Sequence, residues 1–206
     1  MPYADRTAAG RALCDSLAGL RSPTTVVLGL PRGGVPVGHA VAAELGAPLD
    51  IVLVRKLGLP WQPELAMGAI GEGGTRVVNE DVVRGARVSP LTMRGVVTRE
   101  RRELERRARV LRGGRARIDL HRRTALVVDD GMATGATVAV ACHSVRSMGA
   151  SEVVVAVPVA CPEAIRRIEV LADEVVCPWV AADLGGVGAA YVDFHQLTDD
   201  EVRSFL

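Results

Sequence analysis

Five short, β-branched apolar runs, Thr24–Leu30, Leu49–Val54, Thr124–Val128, Glu152–Val157 and Glu174–Cys177, most constrain what this chain can fold into. Runs this short without polar alternation read as strands covered on both faces, the situation of a parallel sheet. Helical patterns separate them. Asp5 is placed to cap a helix running to about Leu20, and Pro36 opens a second in which Val37, Val41 and Leu45 share a face before Gly46. Further helices are expected from Ser89-Pro90 to Gly113-Gly114, from Gly135 to Met148 and from Pro162 to Leu171. Strand and helix therefore alternate, and the predicted architecture is α/β: a doubly wound, mostly parallel five-stranded sheet with helices on both faces.

With 206 residues, one domain over 1–206 is the expected organisation, with a core of about 22–178 and an arm helix of about 89–113. A small hood would comprise about 178–206 together with the N-terminal helix. Only six aromatic side chains are present, so the core must be aliphatic. A net charge of +1 gives no general field for nucleic acid, and none is expected as a partner. The longest apolar run, Val153–Cys161, is broken by Pro158 and is far shorter than the roughly 20 residues of a membrane span. Met1–Arg6 does not open like a signal peptide, and Cys14, Cys142, Cys161 and Cys177 stand singly without metal or redox spacing. A cytoplasmic protein with reduced cysteines is expected.

Two segments break the pattern. Arg55–Gly74 contains seven Gly and Pro residues, which predicts a long mobile loop or loose hairpin. Arg99–Arg112 carries seven arginines and three glutamates, with Glu103/Arg107 and Glu105/Arg109 spaced as exposed helical ion pairs. That helix is expected to present a solvated or self-associating face, and a homodimer is one use for it.

The chemistry concentrates in Ala125–Thr137, where the third strand ends in Asp129 and Asp130 and a small-residue turn enters a helix. Gly131, Gly135 and Ala136 let backbone amides approach an anion, Thr134 and Thr137 add hydroxyls, and the helix N-terminus adds partial positive charge. The acids suit the vicinal hydroxyls of a ribose and a nearby Mg²⁺. Their alternative use is to cap the following helix. A P-loop ATPase would also have an Asp at a strand end, but no Gly-x-x-x-x-Gly-Lys-[Ser/Thr] occurs in the chain.

This segment resembles the 13-residue signature for 5-phosphoribosyl-1-pyrophosphate (PRPP) of type I phosphoribosyltransferases. Gly29–Gly34 is similar to the family's pyrophosphate loop, with Arg32 as phosphate ligand and Gly33 and Gly34 as amide donors. The resemblance places this strand beside the Asp129 strand, where the winding direction reverses and open α/β sheets bind ligands. Lys56 is the single lysine against 24 arginines, and in similar proteins a lysine here reaches the pyrophosphate. Leu57–Gly74 resembles the catalytic loop of uncharacterised stand-alone bacterial members of the family.

The resemblance implies PRPP binding by Arg32, Gly33, Gly34, Lys56, Asp129, Asp130, Gly131, Ala133, Thr134, Gly135, Ala136 and Thr137. It further implies Mg²⁺ at Asp129 and Asp130, directly or through ribose hydroxyls and water. The catalytic candidates are Lys56, Glu64, Asp129 and Asp130. Ala133 stands where 6-oxopurine enzymes of the family usually carry aspartate, so Glu64 becomes a proton-handling candidate or else an exposed loop residue. Trp179, Tyr191 and Phe194 form either a stacking platform for the base or a satellite core. The implied function is transfer of the phosphoribosyl group of PRPP to a nucleobase-like acceptor with release of pyrophosphate. The alternative is a non-catalytic PRPP-binding regulator.

Overall fold

The computed structural model describes residues 2–206. The chain runs α1 (Arg6–Cys14), β1 (Thr25–Gly29), α2 (Gly34–Leu45), β2 (Leu49–Ile51), β3 (Val54–Leu59), β4 (Gln62–Gly71), β5 (Arg76–Val78), α3 (Glu80–Gly85), α4 (Pro90–Arg112) and β6 (Thr124–Val128). It continues through α5 (Ala136–Ser147), β7 (Glu152–Ala156), β8 (Val159–Ala160), α6 (Pro162–Glu169), β9 (Glu174–Val176), β10 (Trp179–Val180) and α7 (Asp199–Ser204).

The main sheet has the order β2-β1-β6-β7-β9 and every pair in it is parallel. All five residues of β1 and of β6 are buried, which is why these strands read as unbroken apolar runs. On one face Val26, Leu28, Val127 and Val155 pack with Val138, Cys142 and Ile168; on the other Val27, Leu126 and Val154 pack with Leu13, Leu17, Val37 and Val41. Burial pushes the Cys142 thiol up to about 12, so it behaves as an apolar side chain, and all four cysteines are free. Among the described residues no helix is long and apolar enough to cross a membrane.

Several expected boundaries move. The first helix is α-helical only to Cys14 and continues as a 3-10 helix over Asp15–Leu20, while the strand expected over Leu49–Val54 ends at Ile51. Of the two forms expected for Arg55–Gly74, a mobile loop or a loose hairpin, the structure shows a hairpin. It forms β3 and β4, antiparallel and joined by β5 into a second sheet, with register shifts beside Gly58. Gly58 lies so close to Pro63 that a Cβ would collide with its carbonyl, and Gly68 adopts φ +155° against β5, so the glycines permit this sheet instead of breaking it.

The same sheet is tied to the main one by a buried ion network. Arg112 Nε reaches Asp50 Oδ1 at 2.8 Å, its Nη1 reaches Glu72 Oε1 at 2.7 Å, and its Nη2 donates to Ile51 O at 2.8 Å. Asp50 also accepts from the Ile51 and Ile118 amides, and Glu72 from that of Leu53. Arg112 thus departs from the solvated face expected for its helix. The Glu103/Arg107 pairing is replaced too, since Glu103 pairs with Arg106 and Arg107 turns toward Asp199.

Candidate functional site

Asp129 and Asp130 follow β6 at the carboxyl edge of the sheet, where β1 lies on one side and β7 on the other. The route from β1 turns toward β2 and the route from β6 toward β7, so the acids stand at the topological switch point. Asp129 Oδ1 accepts the Asp130 amide at 2.9 Å, and Arg6 Nε contacts Asp130 Oδ2 at 2.8 Å. The Tyr191 hydroxyl donates to the Asp130 carbonyl and Arg6 Nη1 donates to the His195 carbonyl, so α1 and the C-terminal segment both close on this turn. Burial, with the charge of Asp130 added, pushes the Asp129 carboxyl well above its ordinary range. Burial raises Asp130 as well, against the opposing pull of Arg6. Two neighbouring acids in one turn are matched by a ligand that brings hydroxyl donors or positive charge.

The next residues form the cradle. Gly131 has φ +159°, and a Cβ there would meet Val187 Cγ1 at 2.7 Å and Val159 Cγ1 at 2.9 Å. The turn is pinned because the Met132 amide donates to Val159 O and the Cys161 amide to Met132 O, both at 2.9 Å. Gly135, at φ +69°, swings the chain into α5. The first amides of a helix have no acceptor within it. Here the Ala136 amide meets the Thr134 hydroxyl at 3.4 Å, and Ala133, Thr134, Ala136 and Thr137 all face outward. The cradle thus offers open amides, two hydroxyls and the positive end of a twelve-residue helix to an anion.

The Pro31–Gly34 turn after β1 packs directly on the acids. A Cβ at Gly33 would fall inside the Asp130 carboxylate, and one at Gly34 would strike the Val128 carbonyl and lie 2.8 Å from Asp129 Cα. These glycines are required by the contact between the two turns. The Pro31–Arg32 peptide is cis. The reading that both glycine amides are open needs correction, since the Gly34 amide donates to Leu30 O at 2.9 Å and closes the turn. Arg32 is engaged too, with Nη1 donating to Leu197 O at 2.6 Å and Nε lying 3.2 Å from Asp199 Oδ1.

Lys56 and Glu64 occur together, but on the β3–β4 hairpin. Lys56 Nζ lies 3.3 Å from Glu64 Oε2, and the two line a recess with Arg55, Arg99 and Glu100. Among the described residues no hydrogen bond or ion pair joins either of them to Asp129, Asp130 or Arg32. Arg55 anchors the hairpin to α4, where burial works against the charge of Glu100 but hydrogen bonds from Arg55 and Arg99 hold its carboxyl below the usual range.

Of the three aromatic candidates, Tyr191 is buried in a satellite core with Ala9, Val159 and Ala190, against which Tyr3, Trp179 and Phe194 pack. Phe194 stacks on Tyr191 with ring centroids 5.0 Å apart, and the Arg6 guanidinium sits 3.9 Å from the Phe194 centroid. Phe194 therefore lies at the rim, lining a cleft with Arg6 and Arg32, while Tyr191 supports it from behind. Sequence reasoning missed Arg6, Arg107 and Asp199. Arg6 meets an acid 124 residues away, a separation that leaves no local signal. Asp199, by contrast, follows Thr198 in a capping box with Glu201, a pattern visible in Thr-Asp-Asp-Glu.

Comparison with known proteins agrees with this geometry. The model of the phosphoribosyl transferase domain matches residues 8–191. Two Mycobacterium tuberculosis proteins, from strains CDC 1551 and H37Rv, carry the provisional name phosphoribosyl transferase and are each 52% identical over 204 residues. The alignment takes in 99% of this chain and 46% of each relative, so the chain spans about half the length of those proteins. The crystal structure of TT1426 from Thermus thermophilus superposes with a TM-score of 0.85 at 44% identity, covering 100% of this chain and 97% of that one. AQ2163 from Aquifex aeolicus shares the fold at 13% identity, with a TM-score of 0.51 over 85% of this chain and 74% of its own. With a family match over nearly the whole chain and a solved relative 44% identical along its full length, the chain belongs to the phosphoribosyl transferase domain family.

Proposed function

We propose that the chain transfers the 5-phosphoribosyl group of PRPP to a nitrogenous base and releases pyrophosphate. The observation that carries this reading is the convergence, at one switch point, of the Asp129–Asp130 pair with the open amides and hydroxyls of residues 133–137. Residues 133–137 would take the 5-phosphate and the two carboxylates the ribose diol. The Arg32–Gly33 turn and Lys56 would take the pyrophosphate, the latter by movement of the β3–β4 hairpin. Trp179, Tyr191 and Phe194 form the hood near which the base would lie, with Phe194 its contact face and Glu64 the proton-handling candidate.

The residues present fit Mg²⁺ in part. Among the described residues no group of three or more His, Cys, Asp or Glu is arranged to hold a metal ion. Asp129 and Asp130 supply two hard carboxylates raised by burial, so a divalent ion there would complete its oxygen shell from PRPP and water. When bound, Mg²⁺ offsets the negative charge of the departing pyrophosphate. Arg6 holds Asp130 in place, and Gly33 keeps the pyrophosphate turn against it.

A non-catalytic PRPP-binding regulator is the second reading, favoured by the prior engagement of Arg32 with Leu197 and Asp199. Incubation with PRPP, Mg²⁺ and a panel of purines, pyrimidines and pyridines, with pyrophosphate release as the readout, tests both. Base-dependent release supports the transferase. PRPP binding without release for any base supports the regulator, and absence of PRPP binding refutes both.

A further inference from the structure

One cluster of charges is assembled from distant segments and includes groups that the signature does not use. Arg6 of α1, Arg32 and Arg107 of α4 line, with Phe194, His195 and Leu197, a cleft of about 430 Å³. Into this positive concentration α7 inserts the carboxylate of Asp199. Its Oδ1 lies 3.2 Å from Arg32 Nε and 3.7 Å from Arg107 Nη2.

The charges match, but the hydrogen bonding does not. Asp199 Oδ1 is buried without a well-aligned hydrogen bond, and the buried Arg107 Nε has no acceptor. Burial pulls the Arg107 guanidinium down; Asp199 opposes this and Arg32 adds to it. An orphaned donor and an orphaned acceptor on two residues already paired by charge beside this cleft mark a site filled by an ill-fitting occupant. A carboxylate offers two oxygens in one plane. A pyrophosphate offers tetrahedral oxygens to both guanidinium groups at once.

Nor does α7 depend on Asp199 for its place. Thr198 and Glu201 complete its capping box, and Val202 is buried in the apolar cluster that α4 shares with β3 and β4. Beyond it, the Phe205 carbonyl meets His39 Nδ1 and the Leu206 carbonyl accepts from Arg115 Nη1, both at 2.8 Å. The Asp199 side chain can leave while its helix stays.

We propose that Arg32 and Arg107 form the anion site for the pyrophosphate end of PRPP, and that Asp199 is its resident occupant, a carboxylate displaced when pyrophosphate binds. This rests on the transferase reading for the identity of the anion. It makes Arg107 a pyrophosphate ligand supplied by the arm helix, and Asp199 an internal competitor that lowers apparent affinity.

The test is calorimetric titration of the full chain with inorganic pyrophosphate and, separately, with PRPP, each with Mg²⁺. Asp199→Asn is expected to bind pyrophosphate about 5- to 150-fold more tightly than the wild type, the usual span of a coupling free energy between two groups. Arg107→Gln in the Asp199→Asn background should abolish that gain. Asp199→Ser, which keeps a residue favourable at a helix start, serves as the second variant should the first fail to fold. If wild type and Asp199→Asn bind pyrophosphate equally, or Arg107→Gln leaves the gain intact, while PRPP still binds, the inference falls and the transferase reading stands. If no folded variant binds either ligand, both fall.

Discussion

Arg112 offers the sharpest test of what holds the antiparallel sheet to the body of the molecule. Its side chain is 7% exposed and bridges Asp50 in β2 to Glu72 just beyond β4. Burial opposes its charge, yet the hydrogen bonds and charges of Glu72 and Asp50 hold it above its ordinary value. Arg112→Met fills similar space but leaves two carboxylates buried without a counter-charge. Removing one partner of a buried pair costs about 3–5 kcal/mol. With a urea m-value of about 2–3 kcal/mol/M for a chain of this size, the midpoint should fall by about 1–2.5 M. Circular dichroism across a urea titration measures it. Adding Glu72→Gln to Arg112→Met should recover part of the loss, because the orphaned charge is then removed. A shift in the single variant below about 0.4 M, or roughly 1 kcal/mol, would show that the network is solvated and refute the argument.

Three further outcomes follow from the site. Asp129→Asn should weaken PRPP binding by about 1–3 kcal/mol while stabilising the unliganded protein. Because the folded Asp129 carboxyl titrates above its ordinary value, its ionisation opposes folding as pH rises, so the stability gap in favour of the variant should widen from about pH 4 to about pH 8. Paired urea titrations at the two pH values measure that gap, and a constant gap counts against the buried-charge account. Gly33→Ala should lower the melting temperature and abolish PRPP binding together, since its Cβ would collide with the Asp130 carboxylate; retained binding in calorimetry would show that the two turns can separate. His195 is raised by its hydrogen bond to Asp193, with Glu201 adding, so its contribution to stability is complete below about pH 6.5 and is lost as pH rises through the folded value. In a proton NMR titration Asp193→Asn should return the imidazole to a lower midpoint, and an unmoved midpoint would contradict the assigned partner.

The parallel core was legible because its strands are buried on both faces, and burial on both faces leaves a continuous apolar run such as Thr124–Val128. The turn from β6 into α5 was legible because small residues at fixed offsets after a strand are a local pattern. The β3–β4 hairpin was legible only as one of two forms and its extension by β5 was not, since glycine serves equally for a loose loop and for close approach between strands, and the collision between Gly58 and Pro63 appears only in three dimensions. The arginine-rich helix misled for a related reason. Composition shows charge but not its destination, and Arg112 and Arg107 both turn inward while Arg101 and Arg102 face outward. Lys56 and Glu64, singled out separately, pair with each other on the β3–β4 hairpin, and among the described residues neither is hydrogen-bonded or ion-paired to the acids.

The unfavourable terms in this structure are not spread evenly. Asp129 carries a carboxyl that burial and a neighbouring acid both push toward protonation, and Arg107 Nε and Asp199 Oδ1 are buried without good partners. Both defects fall at the proposed PRPP site, whereas in the Arg112 network, to which no ligand is assigned, each guanidinium nitrogen has an acceptor. A ligand that supplies a diol, a cation and phosphate oxygens removes these defects only in the folded state. Its binding therefore stabilises the fold by RT ln(1 + [L]/Kd), about 2.7 kcal/mol at a hundredfold excess over Kd. PRPP with Mg²⁺ should raise the melting temperature accordingly, and Asp129→Asn should start higher and rise less. A variant that both starts lower and gains as much as the wild type would show that the strain at this site has no part in binding.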